Sequence, residues 1–106
     1  DAWFMAFAPG MSGLEAALER KDDLYALATV FNDAAMHAKY RAHQEGLYEP
    51  LIDGACAAYR KCHEIDPAYA DVRNMYKVAM MCKADILCDK GDFDGAMAIY
   101  QSLDKI

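Results

Sequence analysis

Apolar residues recur along most of this chain at intervals of three and four, the spacing that sets them on one face of a helix. Between Asp23 and Gln44 the run Leu24, Leu27, Ala28, Phe31, Ala34, Ala35, Ala38 and Ala42 keeps a 3.6-residue period. It predicts a long helix whose Ala-rich second half suits close helix approach. Gly46 is the expected stop, and Pro50 sits where a first helical turn tolerates it. The next helix, 50–64, is expected to bury Ile52, Ala55, Tyr59 and Cys62 and to end at Asp66-Pro67. From Ala68 to about Asp89 one seam carries Val72, Met75, Ala79, Cys82 and Ile86, with Tyr76, Met80 and Leu87 beside it. Gly91-Asp92 makes a turn, and a last helix over 93–104 buries Phe93, Ala96, Tyr100 and Leu103.

Ahead of these, Ser12-Gly13-Leu14-Glu15 reads as a capping box opening a short helix to Arg20. Lys21-Asp22-Asp23 then supplies a turn and a new N-cap. Pro9-Gly10 separates the short helix from the apolar arm Ala2-Trp3-Phe4-Met5-Ala6-Phe7-Ala8, which packs as a cap on the first helix pair or lies in a groove as a ligand mimic. About five helices with short connections define an all-α, up-and-down stack of antiparallel hairpins.

Within that pattern two stretches are near copies. Asp53-Gly54-Ala55-Cys56-Ala57-Ala58-Tyr59 aligns with Asp94-Gly95-Ala96-Met97-Ala98-Ile99-Tyr100, and continued to Ile65 and Ile106 the match gives six identities in thirteen positions. An internal repeat implies units of one design, stacked because neither buries its apolar face alone. Segments 76–106 and, more weakly, 36–67 resemble the tetratricopeptide repeat family, a helix–turn–helix of 34 residues with small residues where paired helices touch. Carried over by position, Ala84 fills the small site of a first helix, Gly91-Asp92-Phe93 the turn, Ala96 the small site of the second helix and Tyr100 its aromatic. In the earlier unit Ala55 and Tyr59 take the last two roles, and Pro67 is the closing proline. Met80, Lys83 and His43 depart from the family pattern. The two alanines stand 41 apart, seven beyond the family period. Two added turns rotate a helix face by only about 20° and so leave the core stripe in place.

The resemblance implies a single domain over 1–106, a fragment of a tetratricopeptide-like α-solenoid. Its parts are an arm at 1–11, a first helix pair at 12–45 and repeat-like units at 36–67 and 68–106. It implies a groove lined by the first helix of each unit, which takes a peptide or helix of a partner protein. The groove candidates are His37, Tyr40, Arg41 and Gln44 from one unit and Val78, Met81, Asp85 and Cys88 from the other. His37, Arg41 and Gln44 form an i, i+4, i+7 stripe off the apolar seam. The Lys and Asn cluster with which some members grip a C-terminal carboxylate is absent, since Val78, Met81 and Asp85 occupy its positions. Because Ile106 falls where the sister segment continues as Asp66-Pro67, the expected parent is a longer array. An uncapped terminal repeat would expose apolar surface, so self-assembly into a homo-oligomer is the alternative reading.

Composition narrows the chemistry further. With 56% hydrophobic and 26% charged residues the 106-residue chain has the make-up of a folded globular domain. A net charge of −6 argues against nucleic acid, whose phosphates need clustered Lys and Arg, and favours a basic protein or peptide as partner. No apolar run approaches the ~20 residues of a membrane span. The arm lacks a preceding Lys or Arg and is not an intact signal peptide. A chain starting at Asp1 is expected to be an excised domain or a processed form. Cys56/Cys62 and Cys82/Cys88 are each six apart, on different helix faces, and read as buried thiols; a Cys62–Cys82 bridge is geometrically conceivable. Free thiols favour a cytoplasmic setting and leave periplasmic or secreted ones open.

Neither a phosphate loop, a nucleophile elbow nor a two-His helix motif occurs, and the acid pairs Asp22/Asp23 and Asp92/Asp94 sit at turns as caps. His63, beside Glu64 and Asp66, is placed to interact with a helix C-terminus rather than a metal. No catalytic residue, metal or cofactor is expected. The sequence reads as an interaction module, with a ligand-binding or enzymatic helical domain as the remote alternative.

Overall fold

The computed structural model describes residues 18–106, which form four helices and no strand: α1 (Lys21–Tyr40), α2 (Glu45–Ile65), α3 (Val72–Asp89) and α4 (Phe93–Leu103). The apolar arm and the Ser12–Glu15 capping box lie outside the described residues, as does most of the short helix expected up to Arg20. Residues 18–20 are non-helical, and Arg20 is extended.

Helix boundaries differ from the expected ones where backbone groups found other partners. Lys21-Asp22-Asp23 is the first turn of α1 rather than a linker, with Asp22 and Asp23 at the positive end of the helix dipole. At the other end α1 stops at Tyr40, not Gln44. The amides of Arg41 and Ala42 both donate to the His37 carbonyl, and the Gln44 amide donates to the Ala38 carbonyl at 2.7 Å. The chain reverses through His43 at φ +53°, a left-handed position that His reaches more readily than most residues. Gly46, the expected stop, therefore lies inside α2. Pro50 stands in the second turn of α2 rather than the first, and it cannot donate to the Gly46 carbonyl. Between α2 and α3, Asp66 is extended as a residue preceding Pro should be. Its carboxylate accepts from the Ala68 amide at 3.1 Å. That turn, with Ala70 at φ +45°, delays α3 from Ala68 to Val72.

Each helix makes its extensive contacts with its neighbours in the chain: α1 with α2, α2 with α3, α3 with α4. The core sits mainly between α1 and α2, where Leu24, Ala28, Phe31 and Ala35 face Leu51, Ile52, Ala55, Ala58 and Tyr59, all buried. Alanines on both helices permit close approach. Gly54 lies so near the Phe31 ring that a Cβ there would sit 2.8 Å from it. Val72, Ala79 and Ile86 of α3 close the cluster, flanked by Met75, Tyr76 and Cys82.

Only Ala96 of α4 is buried. Leu103 is half-buried, whereas Phe93 and Tyr100, both expected in the core, are 67% and 42% exposed. The reason is position: α4 packs principally on α3 and contributes no residue to the core cluster between α1, α2 and α3.

Candidate functional site

The expected groove residues divide into two groups. His37 and Tyr40, in the last turns of α1, and Arg41, its C-cap, line a shallow depression of about 320 Å³ with Asp33 and Met36. Gln44 has left that stripe; it is the N-cap residue of α2 and half-buried. Val78, Met81 and Asp85 are exposed along α3, while Cys88 is half-buried.

A chain of contacts crossing all four helices brings Tyr40 and Asp85 to the same region. The Lys39 ammonium lies 5.3 Å from the centre of the Tyr40 ring and 4.6 Å from that of Tyr48, within cation–π range of both. Tyr48, nearly buried on α2, turns its phenol to the Cys82 thiol of α3. Burial holds that phenol well above its ordinary range, helped by the bond to Cys82 and by the negative potentials of Cys82, Tyr40 and Asp85. One turn along α3 from Cys82, the Asp85 carboxylate accepts a hydrogen bond from the Tyr100 hydroxyl of α4 at 3.0 Å. That bond is the main cause of the raised Tyr100 phenol.

Beside this line opens a cleft of about 490 Å³, walled by Tyr48, Pro50 and Ile86 and edged by Lys39, Asp89 and Lys90. An ion network fixes its α2–α3 wall. Lys90 contacts both oxygens of Glu49 at 2.7 and 2.6 Å, and Lys83 reaches Asp53 at 2.8 Å and Glu49 at 3.8 Å. The hydrogen bond from Lys90, foremost, holds the Glu49 carboxyl below its usual range. Past Asp85, α3 presents Val78 and Met81 and α4 presents Phe93, Met97 and Tyr100, all at least 42% exposed. Phe93, Met97 and Tyr100 recur at i, i+4, i+7, one face of α4.

The opposite end of the α1–α2 pair carries a second cleft of about 490 Å³, lined by Arg20, Lys21, Asp22, Ile65, Asp66 and Tyr69. Lys21 donates to Asp66 at 2.7 Å and lies 5.2 Å from the centre of the Tyr69 ring. Tyr25 meets Tyr59 and Tyr69 edge-on at 5.7 Å, and Thr29 shares a 3.1 Å hydrogen bond with the Tyr59 hydroxyl. These contacts tie α1 to α2 and to the turn that follows α2.

All four cysteines are free. Burial pushes the Cys56 thiol up to about 12 and also raises Cys62, whose Sγ points at the Lys21 carbonyl at 3.3 Å, so neither is an activated nucleophile. His63 stacks obliquely on Tyr76, 5.9 Å between ring centres. Among the described residues no group of His, Cys, Asp and Glu could hold a metal ion, and no helix is long and apolar enough to cross a membrane.

Sequence reasoning missed Lys39, Tyr48, Phe93 and Met97 as members of this surface. Tyr48 is legible in hindsight, since Tyr48, Ile52, Ala55 and Tyr59 share one helical face. It was hidden by starting the helix at Pro50. Compared with known proteins, the chain matches no family model, no curated protein and no solved structure.

Proposed function

We propose that this chain is a protein-interaction module of tetratricopeptide-like design, in which the line Tyr40–Tyr48–Asp85–Tyr100 and the flanking cleft receive a segment of a partner protein. The observation that carries this reading is the exposure of Val78, Met81, Phe93, Met97 and Tyr100 on adjoining helices around one carboxylate. Single exposed apolar residues are ordinary on a folded protein, but a set on two packed helices beside an aromatic-walled cleft is the make-up of a contact surface. Tyrosines held by packing and hydrogen bonds lose little entropy on binding, which suits them to the centre of an interface. The repeated Asp-Gly-Ala…Tyr pattern and the chain-order packing of antiparallel helices support the repeat-like reading.

The test is selection of binders from a displayed library of random linear peptides, followed by affinity measurement on exposed-face variants. Wild type should enrich a common motif. Tyr40→Ala and a Met81→Ser/Met97→Ser pair should weaken it about tenfold or more, or ~1.4 kcal/mol, with helicity unchanged. Full-affinity binding by both variants would overturn the proposal. Sedimentation across concentrations tests the self-assembly alternative, which predicts a stable oligomer that these same face substitutions dissociate.

A further inference from the structure

The stretch from the middle of α3 to the end of α4 is acidic as well as rich in exposed apolar residues, with Arg73, Lys77 and Lys105 lying outside it. Between Val78 and Tyr100 the chain carries four acids, Asp85, Asp89, Asp92 and Asp94, and two bases, Lys83 and Lys90. Both lysines turn their ammonium groups to α2, where Glu49 and Asp53 hold them. Lys39, the cation nearest the cleft on α1, lies against the Tyr40 and Tyr48 rings. The four acids are all exposed, and among the described residues none of them forms a salt bridge.

Asp85 continues the exposed stripe of α3 and is tied to a tyrosine of α4. Val78, Met81 and Asp85 follow one another at i, i+3, i+7 on α3, and Tyr100 crosses from α4 to donate to its carboxylate at 3.0 Å. A carboxylate with one hydrogen-bond donor keeps lone pairs for more. Covering the face with an apolar partner would strip water from that charge, at a cost that only a cation or several donors can offset. The phenol ring beside it adds an aromatic face that a guanidinium or ammonium can approach.

These features select among occupants. A second copy of this chain meeting face to face would set Asp85, Asp89, Asp92 and Asp94 against the same four groups, and each copy brings −6. An acidic or nucleic-acid partner meets the same repulsion. From this we infer that the surface takes a basic amphipathic segment of another protein, its apolar side chains on Val78, Met81 and Met97 and an Arg or Lys paired with Asp85 beside Tyr100. The inference rests on the proposed interaction surface and specifies the chemistry of what it binds.

The peptide selection decides it, run on the full chain as wild type and as Asp85→Lys, a substitution at an exposed position whose fold circular dichroism verifies. Wild type should enrich peptides that join apolar residues to Arg or Lys, and their affinity should fall steeply with added salt. Asp85→Lys should weaken those peptides about tenfold or more and shift the enriched set toward Asp and Glu. Enrichment of apolar peptides indifferent to charge, and equally bound by Asp85→Lys, would overturn the basic partner while leaving the interaction surface standing. Absence of any enriched motif would overturn both.

Discussion

The sister segments Asp53–Tyr59 and Asp94–Tyr100 share Asp, Gly, Ala, Ala and Tyr at identical spacing, yet they live in different surroundings. Tyr59 is fully buried, meets Tyr25 edge-on and shares a hydrogen bond with Thr29. Tyr100 is 42% exposed, and its hydroxyl reaches the surface carboxylate of Asp85. Gly54 admits the Phe31 ring of α1; a Cβ on Gly95 would first meet the Asp92 carboxylate of its own turn. Ala55 and Ala96 are both buried, so the pattern sets which side of each helix meets a neighbour. How much is buried depends on what lies opposite: the α2 segment faces the core cluster, and the α4 segment lies outside it. In α2 the motif is core, and in α4 the same letters become a candidate surface.

The largest expected effect follows from that difference. Tyr59→Ala should cost about 3–5 kcal/mol of unfolding free energy, the usual range for deleting a buried aromatic. Tyr100→Ala should cost less than about 1 kcal/mol, as surface substitutions do. Urea titration of both variants checks the pair. Equal losses would mean that α4 is packed as tightly as α2, and the contrast between the halves would fail.

The sister glycines sharpen the comparison. In Gly54→Ala the new methyl would press on a ring that is itself buried, and overpacking of that kind costs about 1–3 kcal/mol. The better helix propensity of Ala returns about 1 kcal/mol, leaving a net loss of up to about 2. Gly95→Ala crowds an exposed aspartate that can rotate away. Losing the Asp92 cap on the Gly95 amide at 3.0 Å costs about 1 kcal/mol, and the propensity gain cancels it. The unfolding temperature should therefore fall further for Gly54→Ala than for Gly95→Ala, which stays near wild type.

Helix type and the inward side of α1, α2 and α3 were legible in the sequence because a 3.6-residue apolar period encodes both. Leu24, Phe31, Ile52, Ala55, Tyr59, Val72 and Ala79 are buried as that period requires. The α1–α2 turn was not legible, because a left-handed His43 does the work sought in Gly46. Nor was the exposure of Phe93 and Tyr100: periodicity shows which side of a helix is apolar but not whether anything covers it. The same limit applied to the site. Tyr40 and Asp85 were candidates from their positions, but the link between them runs through Tyr48 and Lys39. Lys39 and Tyr48 stand 9 residues apart and Tyr48 and Cys82 stand 34 apart, and pairs of that kind are set by packing rather than local pattern.

Ion pairs separate the halves more gently. Lys21 ties α1 to Asp66, Lys83 and Lys90 tie α3 to Glu49, and no comparable pair reaches α4 among the described residues. Hydrogen bonding from the lysines, foremost, holds the Asp66 and Glu49 carboxyls below their usual range. A depressed folded-state value means stability that is complete above the ordinary carboxylate range, about 4, and lost as pH falls through the folded value. Stability should therefore decline below about pH 4, and Lys21→Met should flatten part of that decline. An unchanged acid profile in that variant would remove Asp66 from the account. The pair is exposed, so the effect is small beside the loss of Tyr59.

The smallest effect separates two tyrosines of one surface. Tyr48 and Tyr100 both titrate above the ordinary phenol value, but for different leading reasons: burial for Tyr48, the bond to Asp85 for Tyr100. Asp85→Asn should return the Tyr100 phenol toward about 10 while Tyr48 stays high, because the substitution leaves its burial intact. Stability linked to a raised phenol is complete below about pH 10 and lost as pH rises through the folded value, so Asp85→Asn should remove the Tyr100 contribution to the alkaline limb alone. Phenolate absorbance, assigned with Tyr48→Phe and Tyr100→Phe, resolves the two groups. If both tyrosines shifted together, Asp85 would be supporting the Tyr48 environment as well, and the cleft and the outer face would behave as a single coupled site.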